Sequence, residues 1–182
     1  MSKRRRFLQD YQYLEDEDGK RRVVYTGKNY SLLLPKSRLI RPALFTLPFI
    51  LAAVIIASGL DPNGTSGSPF IFFPIIVSVL PCAFILIGSL PAAIGKRVFN
   101  EREKYRSGNR VTVSIAAFAI LHGISAAAGI VYQLGVIIEN GKLEESTLLQ
   151  LVFAVIGCAA ALFYRRLYKK SVSFNPEGKT EG

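Results

Sequence analysis

Charged and apolar residues are segregated along this chain rather than interleaved. Between Pro42 and Gly95 the only charged residue is Asp61; there is none from Val111 to Ile138 and none from Ser146 to Tyr164. A helix rises ~1.5 Å per residue and a bilayer's hydrocarbon core is ~30 Å thick, so uncharged apolar runs of about 18 residues or more read as membrane spans. Backbone in lipid must satisfy its own hydrogen bonds, which makes those spans helical. The pattern predicts four spans, at 42–60, 69–94, 111–138 and 147–164. A soluble bundle of fully buried helices is the alternative, but a domain this small cannot cover four of them.

The connections set the expected orientation. The segment from Asp61 to Pro69 is rich in turn formers and has no base, and Glu139–Glu145 is acidic with Lys142 as its one base. Every other Lys and Arg lies in 1–41, 96–110 or 165–182. Under the positive-inside rule that side is the cytosol, and an even number of spans places both termini there. The expected fold class is an all-α integral membrane protein with four transmembrane helices, N-in/C-in, multi-pass in the cell (plasma or cytoplasmic) membrane. The first forty residues are polar and charged, so no cleavable signal peptide is expected.

Three parts follow: a cytosolic N-terminal segment at 1–40, a transmembrane domain at 41–168 and a cytosolic tail at 169–182. In the first, Tyr11-Gln-Tyr-Leu14 and Arg22-Val-Val-Tyr25 flank an acidic turn ending in Asp18-Gly19, a hairpin signal. A second turn at Thr26–Asn29 leads to Tyr30–Leu34. A small β-meander is one reading and a disordered basic arm the other. Strands this short are marginal alone and need the membrane surface, the 96–110 loop or a partner to pack on. At the start of the fourth span Ser146 or Thr147 is expected to cap the helix. Tyr164 and Tyr168, among bases, are expected at the cytosolic interface. Pro81, in a span that also holds Pro74 and Pro91, predicts a kink, read either as a hinge or as a passive bend.

Composition changes the picture little. Half of the 182 residues are apolar, yet the net charge is +10. A basic balance often points to nucleic acid. Here the bases flank apolar spans, so the expected partner is a lipid bilayer with anionic headgroups, and no nucleic acid. The basic loop carrying Lys96, Arg97, Arg102 and Arg106 reads as a short amphipathic helix continuing the second span and facing lipid or a partner, or as an ordinary positive-inside loop. Cys82 and Cys158 both lie in spans and make neither a disulfide framework nor a zinc spacing. Asn63-Gly-Thr65 fits a glycosylation sequon or a simple turn.

The strongest candidate for chemistry is His122, the only histidine, near the middle of the third span. Ionisable groups are costly inside a bilayer, which makes such a residue a functional hypothesis. On a helical projection Ser114, Ser125, Gly129, Tyr132 and Gln133 share its stripe. Beside it lies a small-residue face of Ala116, Ala119, Gly123 and Ala127, and opposite it a lipid-suited face of Val113, Ile120, Leu121, Ile124 and Val131. The functional reading is a proton-relay or substrate-contacting histidine. The structural one is a neutral histidine satisfied by a serine, tyrosine or backbone carbonyl on a neighbouring helix. Small-xxx-small spacing at Ala119/Gly123/Ala127 and Gly157/Ala161 allows close helix packing, within the chain or with another.

No phosphate loop, zinc motif, paired intramembrane carboxylates or nucleophile set is present, so no enzyme activity, catalytic residue, metal or cofactor is expected. The first expectation for function is an accessory or scaffold subunit of a membrane complex, bound to another membrane protein or to copies of itself. The alternative is a small-solute or ion transporter or channel, oligomeric, using the His122 stripe. An enzyme acting on lipid at the cytosolic face ranks last, because no nucleophile or base is evident.

Overall fold

A computed structural model describes residues 11–15, 21–34, 40–59 and 69–176. Its helices are α1 (Ile40–Gly59), α2 (Pro69–Val77), α3 (Val79–Ile94), α4 (Glu101–Tyr105), α5 (Val111–Asn140) and α6 (Glu145–Ser171), with a π-helical turn at Arg106–Arg110 joining α4 to α5. Among the described residues four helical stretches are long and apolar enough to cross a membrane: α1, α2 with α3, α4 through α5, and α6. They cover the four expected runs. The fourth passes the expected end at 164 and continues to Ser171.

The third stretch is central. α5 packs along α6 and also against α2 and α3, while α1 lies against α3 and α6. The core between them holds Leu44, Leu51, Ile85, Ile115, Phe118 and Tyr164. Outside it, Phe70, Phe73, Ile120, Val131 and Ile138 are largely exposed. A continuous apolar exterior of this kind suits hydrocarbon better than water.

The second stretch breaks at Ser78, between α2 and α3. Pro81 has no N–H, and its ring crowds the carbonyl of the residue four positions earlier, so strain falls on the preceding turn. There the Ser78 N–H is shared between the carbonyls of Pro74 and Ile75 at 3.0 and 3.1 Å. The Ser78 hydroxyl also donates to Ile75 O at 2.6 Å. Pro81 itself is buried.

The segment after α3 departs from one of its two expected readings: it does not continue the second stretch as an amphipathic helix. Gly95 ends α3 in the left-handed region (φ 91°), with its N–H on Ala92 O and that of Lys96 on Pro91 O. Only a residue without a β-carbon adopts this cap freely. The chain then forms a strand, β4 (Val98–Asn100), and re-enters a helix that leads into the third apolar stretch. Asn100 starts α4 with a capping box: its side chain accepts from the Glu103 N–H at 2.8 Å, and the Glu103 carboxylate accepts from the Asn100 N–H at 3.2 Å. Lys96 pairs with Glu103 at 2.5 Å.

Three strands lie where expected near the N-terminus, but they do not make one meander. β1 (Tyr11–Glu15) and β2 (Arg21–Tyr25) pair as an antiparallel hairpin, with Tyr11 opposite Tyr25. β3 (Asn29–Leu33) lies between β4 and β5 (Ser173–Pro176) in a separate antiparallel sheet. Both of its edges are therefore taken. Phe174 of β5 packs edge-on to Phe99 of β4, with ring centroids 5.3 Å apart. This sheet ties together the N-terminal segment, the connection between the second and third stretches, and the chain after α6, all at one end of the bundle. The acidic turn between α5 and α6 lies at the other.

Candidate functional site in the third span

The π-helical turn that opens this span is held from three sides. At Gly88 of α3 a β-carbon would lie 3.0 Å from Arg106 O and would collide with Val111 Cγ2, so only glycine admits the turn. The Tyr168 hydroxyl donates to Ser107 O from α6, and the Thr112 hydroxyl donates to Gly108 O at 3.0 Å. Tyr164 and Tyr168 are thus core residues rather than interfacial ones: both are buried and their rings meet edge-on.

Above the turn, Ser114, His122, Ser125, Gly129 and Gln133 are all buried, so the polar stripe faces protein. Tyr132 departs from it, half-buried at the rim of a groove. His122 is fully buried. Its ring stacks on Phe118 with centroids 4.1 Å apart and planes inclined by 13°. Nδ1 lies 3.2 Å from Phe118 O. A carbonyl only accepts, so Nδ1 carries the proton of the neutral ring and Nε2 is left as an acceptor. Nε2 has no partner among the described residues. The carbonyl that satisfies Nδ1 belongs to the preceding turn of α5 itself, not to a neighbouring helix as expected.

Gly157 of α6 seats the imidazole. A β-carbon there would collide with His122 Cδ2 and would lie 3.0 Å from both Nε2 and Val54 Cγ1. The other stripe residues fasten helices. The Ser125 hydroxyl donates to Ile71 O of α2 at 2.7 Å. The Gln133 amide holds the backbone of Glu144 from both sides, donating to its carbonyl at 2.6 Å and accepting from its N–H at 3.2 Å. Glu144, at the α6 N-terminus, in turn accepts from the Ser146 and Thr147 hydroxyls at 3.3 and 3.1 Å. Those hydroxyls were expected to cap α6; they bind a carboxylate instead, and no side chain caps the helix.

The small-residue face of α5 divides. Ala119 is buried; at Gly123 a β-carbon would lie 3.9 Å from Cys158 Sγ; Ala127 is exposed. On α6, Gly157 and Ala161 are both buried. Ala127 and Ala128, with Pro74, lie in an apolar groove of about 830 Å³ between α2 and α5, bordered by Phe70, Phe73 and Val131.

The basic loop residues are not gathered into one site. Lys96 is engaged by Glu103, and Arg97, Arg102 and Arg106 are exposed. Arg110 lies over the Phe84 ring at 3.8 Å, and Lys104 over Tyr30 at 3.6 Å. Among the described residues no three His, Cys, Asp or Glu side chains come together as a metal site. The Asn63 sequon falls outside the described residues. Sequence reasoning missed Gln150, which is buried with Oε1 unpartnered among the described residues. Its signal was present: an amide in an otherwise apolar run is costly in lipid. The Gly88/Ala92 spacing marked a close helix approach, but not that it admits the π-helical turn, which depends on a distance between helices. No family model, curated protein or solved structure matches the chain.

Proposed function

We propose that this chain is an accessory or scaffold subunit that docks a helix of another membrane protein along the α2/α5 groove. One observation carries this reading: the small-residue face expected to pack helices is only partly filled from within, leaving Ala127, with the neighbouring Ala128, lining an apolar groove beside the bulky Phe70, Phe73 and Val131. Small residues flanked by large ones let another helix backbone approach closely. The polar stripe supports the same reading, because Ser125 and Gln133 are spent on holding α2 and the α5–α6 turn. The reading includes insertion in the cell membrane with both termini in the cytosol, since the described bases other than Lys142 fall at or near the sheet end of the bundle. Purification in mild detergent tests it. A second polypeptide in fixed ratio, lost in Ala127→Leu, is expected; a stable monomer that retains no partner contradicts it.

A second reading, a small-solute or ion transporter, is favoured by the unpartnered Nε2 of His122 alone. Flux in liposomes that is abolished by His122→Ala would support it, and no flux in the native protein would end it.

A further inference from the structure

A second groove, of about 260 Å³, runs between α1 and α3. Its walls include Leu44, Pro48, Leu86, Leu90 and Ala93. α1 ascends from Ile40 and α3 descends to Ile94, so Leu44 and Ala93 mark the groove's end nearest the sheet. Arg41 stands there, one helical turn before Leu44. It is exposed, and a β-carbon at Gly95, just past the end of α3, would lie 3.8 Å from its Nη1. Arg41 does not line the groove, but it lies one helical turn beyond its Leu44 end, with the guanidinium beside Gly95.

Two roles compete for Arg41. Its charge interacts favourably with the negative C-terminal end of α3, although the Ala92 and Pro91 carbonyls there already accept from Gly95 and Lys96. That explains its position but uses little of its capacity. A guanidinium offers five donors in a planar fork matched to phosphate. Arg41 forms no hydrogen bond or ion pair among the described residues, whereas nearby Lys96 is held by Glu103. Among the described residues its donors are unused.

We propose that this groove and Arg41 bind one anionic phospholipid, with an acyl chain between α1 and α3 and the phosphate on the guanidinium. The inference rests on the membrane reading of the four helices and is independent of any partner in the α2/α5 groove. Hydrocarbon fills the apolar walls, and the phosphate lies at the depth where the first apolar run meets the basic flank. A free phosphate would use the guanidinium and ignore the groove; a zwitterionic lipid would use the groove and gain less from Arg41.

The test is native mass spectrometry of the full chain, purified in detergent and titrated with phosphatidylglycerol, phosphatidylcholine or glycerol phosphate. One phosphatidylglycerol is expected to be retained in preference to phosphatidylcholine, with no retention of glycerol phosphate. Arg41→Gln should weaken that lipid roughly five-fold, while Lys170→Gln, an exposed change on α6, leaves it unchanged. Leu90→Trp, placed at the groove's outer rim to spare the core, should lower retention of both lipids. Melting curves of each variant confirm that the fold is kept. Equal retention of the two lipids, a preference that survives Arg41→Gln in the folded protein, or binding of glycerol phosphate as tight as that of the lipid would overturn the proposal.

Discussion

The imidazole of His122 occupies the space that a side chain at Gly157 would fill, so the α5–α6 contact depends on these two residues together. Replacing Gly157 by alanine drives a methyl group into Cδ2 and against Val54. Overpacking of a tight interface costs ~1–3 kcal/mol, and thermal unfolding in detergent should show a clear loss of stability. The same change beside His122→Ala should cost less, because the imidazole atoms are gone and only the 3.0 Å approach to Val54 Cγ1 remains. A double-mutant cycle measures that coupling. Additive losses would mean that His122 does not set the spacing.

Gln133 makes a second kind of contact, one amide closing both backbone groups of Glu144. Gln133→Leu leaves a partly buried N–H and carbonyl without their partner, at ~1–3 kcal/mol for each buried group left unpaired. Hydrogen exchange should accelerate at the Glu144 amide and around the start of α6, with the sheet end unaffected. Uniform acceleration through α5 and α6 would count against a local clamp.

Tyr168→Phe removes the hydroxyl that binds Ser107 O within the π-helical turn. The expected loss is ~0.5–1.5 kcal/mol in unfolding, with faster exchange confined to the turn and the adjoining sheet. Gly88→Ala should cost more, because its β-carbon would collide with Val111 Cγ2 and also lie 3.0 Å from the backbone oxygen of Arg106. Tyr168→Phe being the more damaging of the two would contradict this account of the turn.

Much of the architecture was legible because charge and apolarity are so cleanly divided. The four runs stand out between blocks of bases, but their limits marked where charge begins rather than where helix ends. Arg165, Arg166, Lys169 and Lys170 close the apolar run of α6, and the helix continues through all four to Ser171. Helical projection placed Ser114, His122, Ser125 and Gln133 on one protein-facing stripe, because burial follows the helical period. It could not name their partners, which sit 11 to 54 residues away for Gln133 and Ser125. The strand at 29–33 showed in the run Tyr30–Leu34 that follows the turn expected at Thr26–Asn29. Its partners did not, because β4 has three residues and β5 four, too short to display a period. Tyr164 and Tyr168 were misplaced for a related reason: tyrosine beside bases is common at interfaces, and only the geometry of α3, α6 and the π-helical turn shows these two turned inward.

Orientation has its own test. In a background lacking Cys82 and Cys158, a cysteine in place of Lys142 should react with a membrane-impermeant maleimide in intact cells. One in place of Arg102 or Arg166 should react only after the membrane is opened. Reversed labelling would place the sheet end outside and remove the basis for cytosolic termini.

Docking of another protein's helix in the α2/α5 groove is what the proposed scaffold role requires. Site-specific photo-crosslinking in native membranes tests it most directly, with a photoreactive amino acid placed in turn at Phe73, Ala127 and Val131 in the groove, and at Ile56 and Phe163, which are exposed on α1 and α6. The account predicts one discrete protein adduct from the groove positions and none from the other two. Adducts of equal yield from all five positions, or none from the groove, would contradict it.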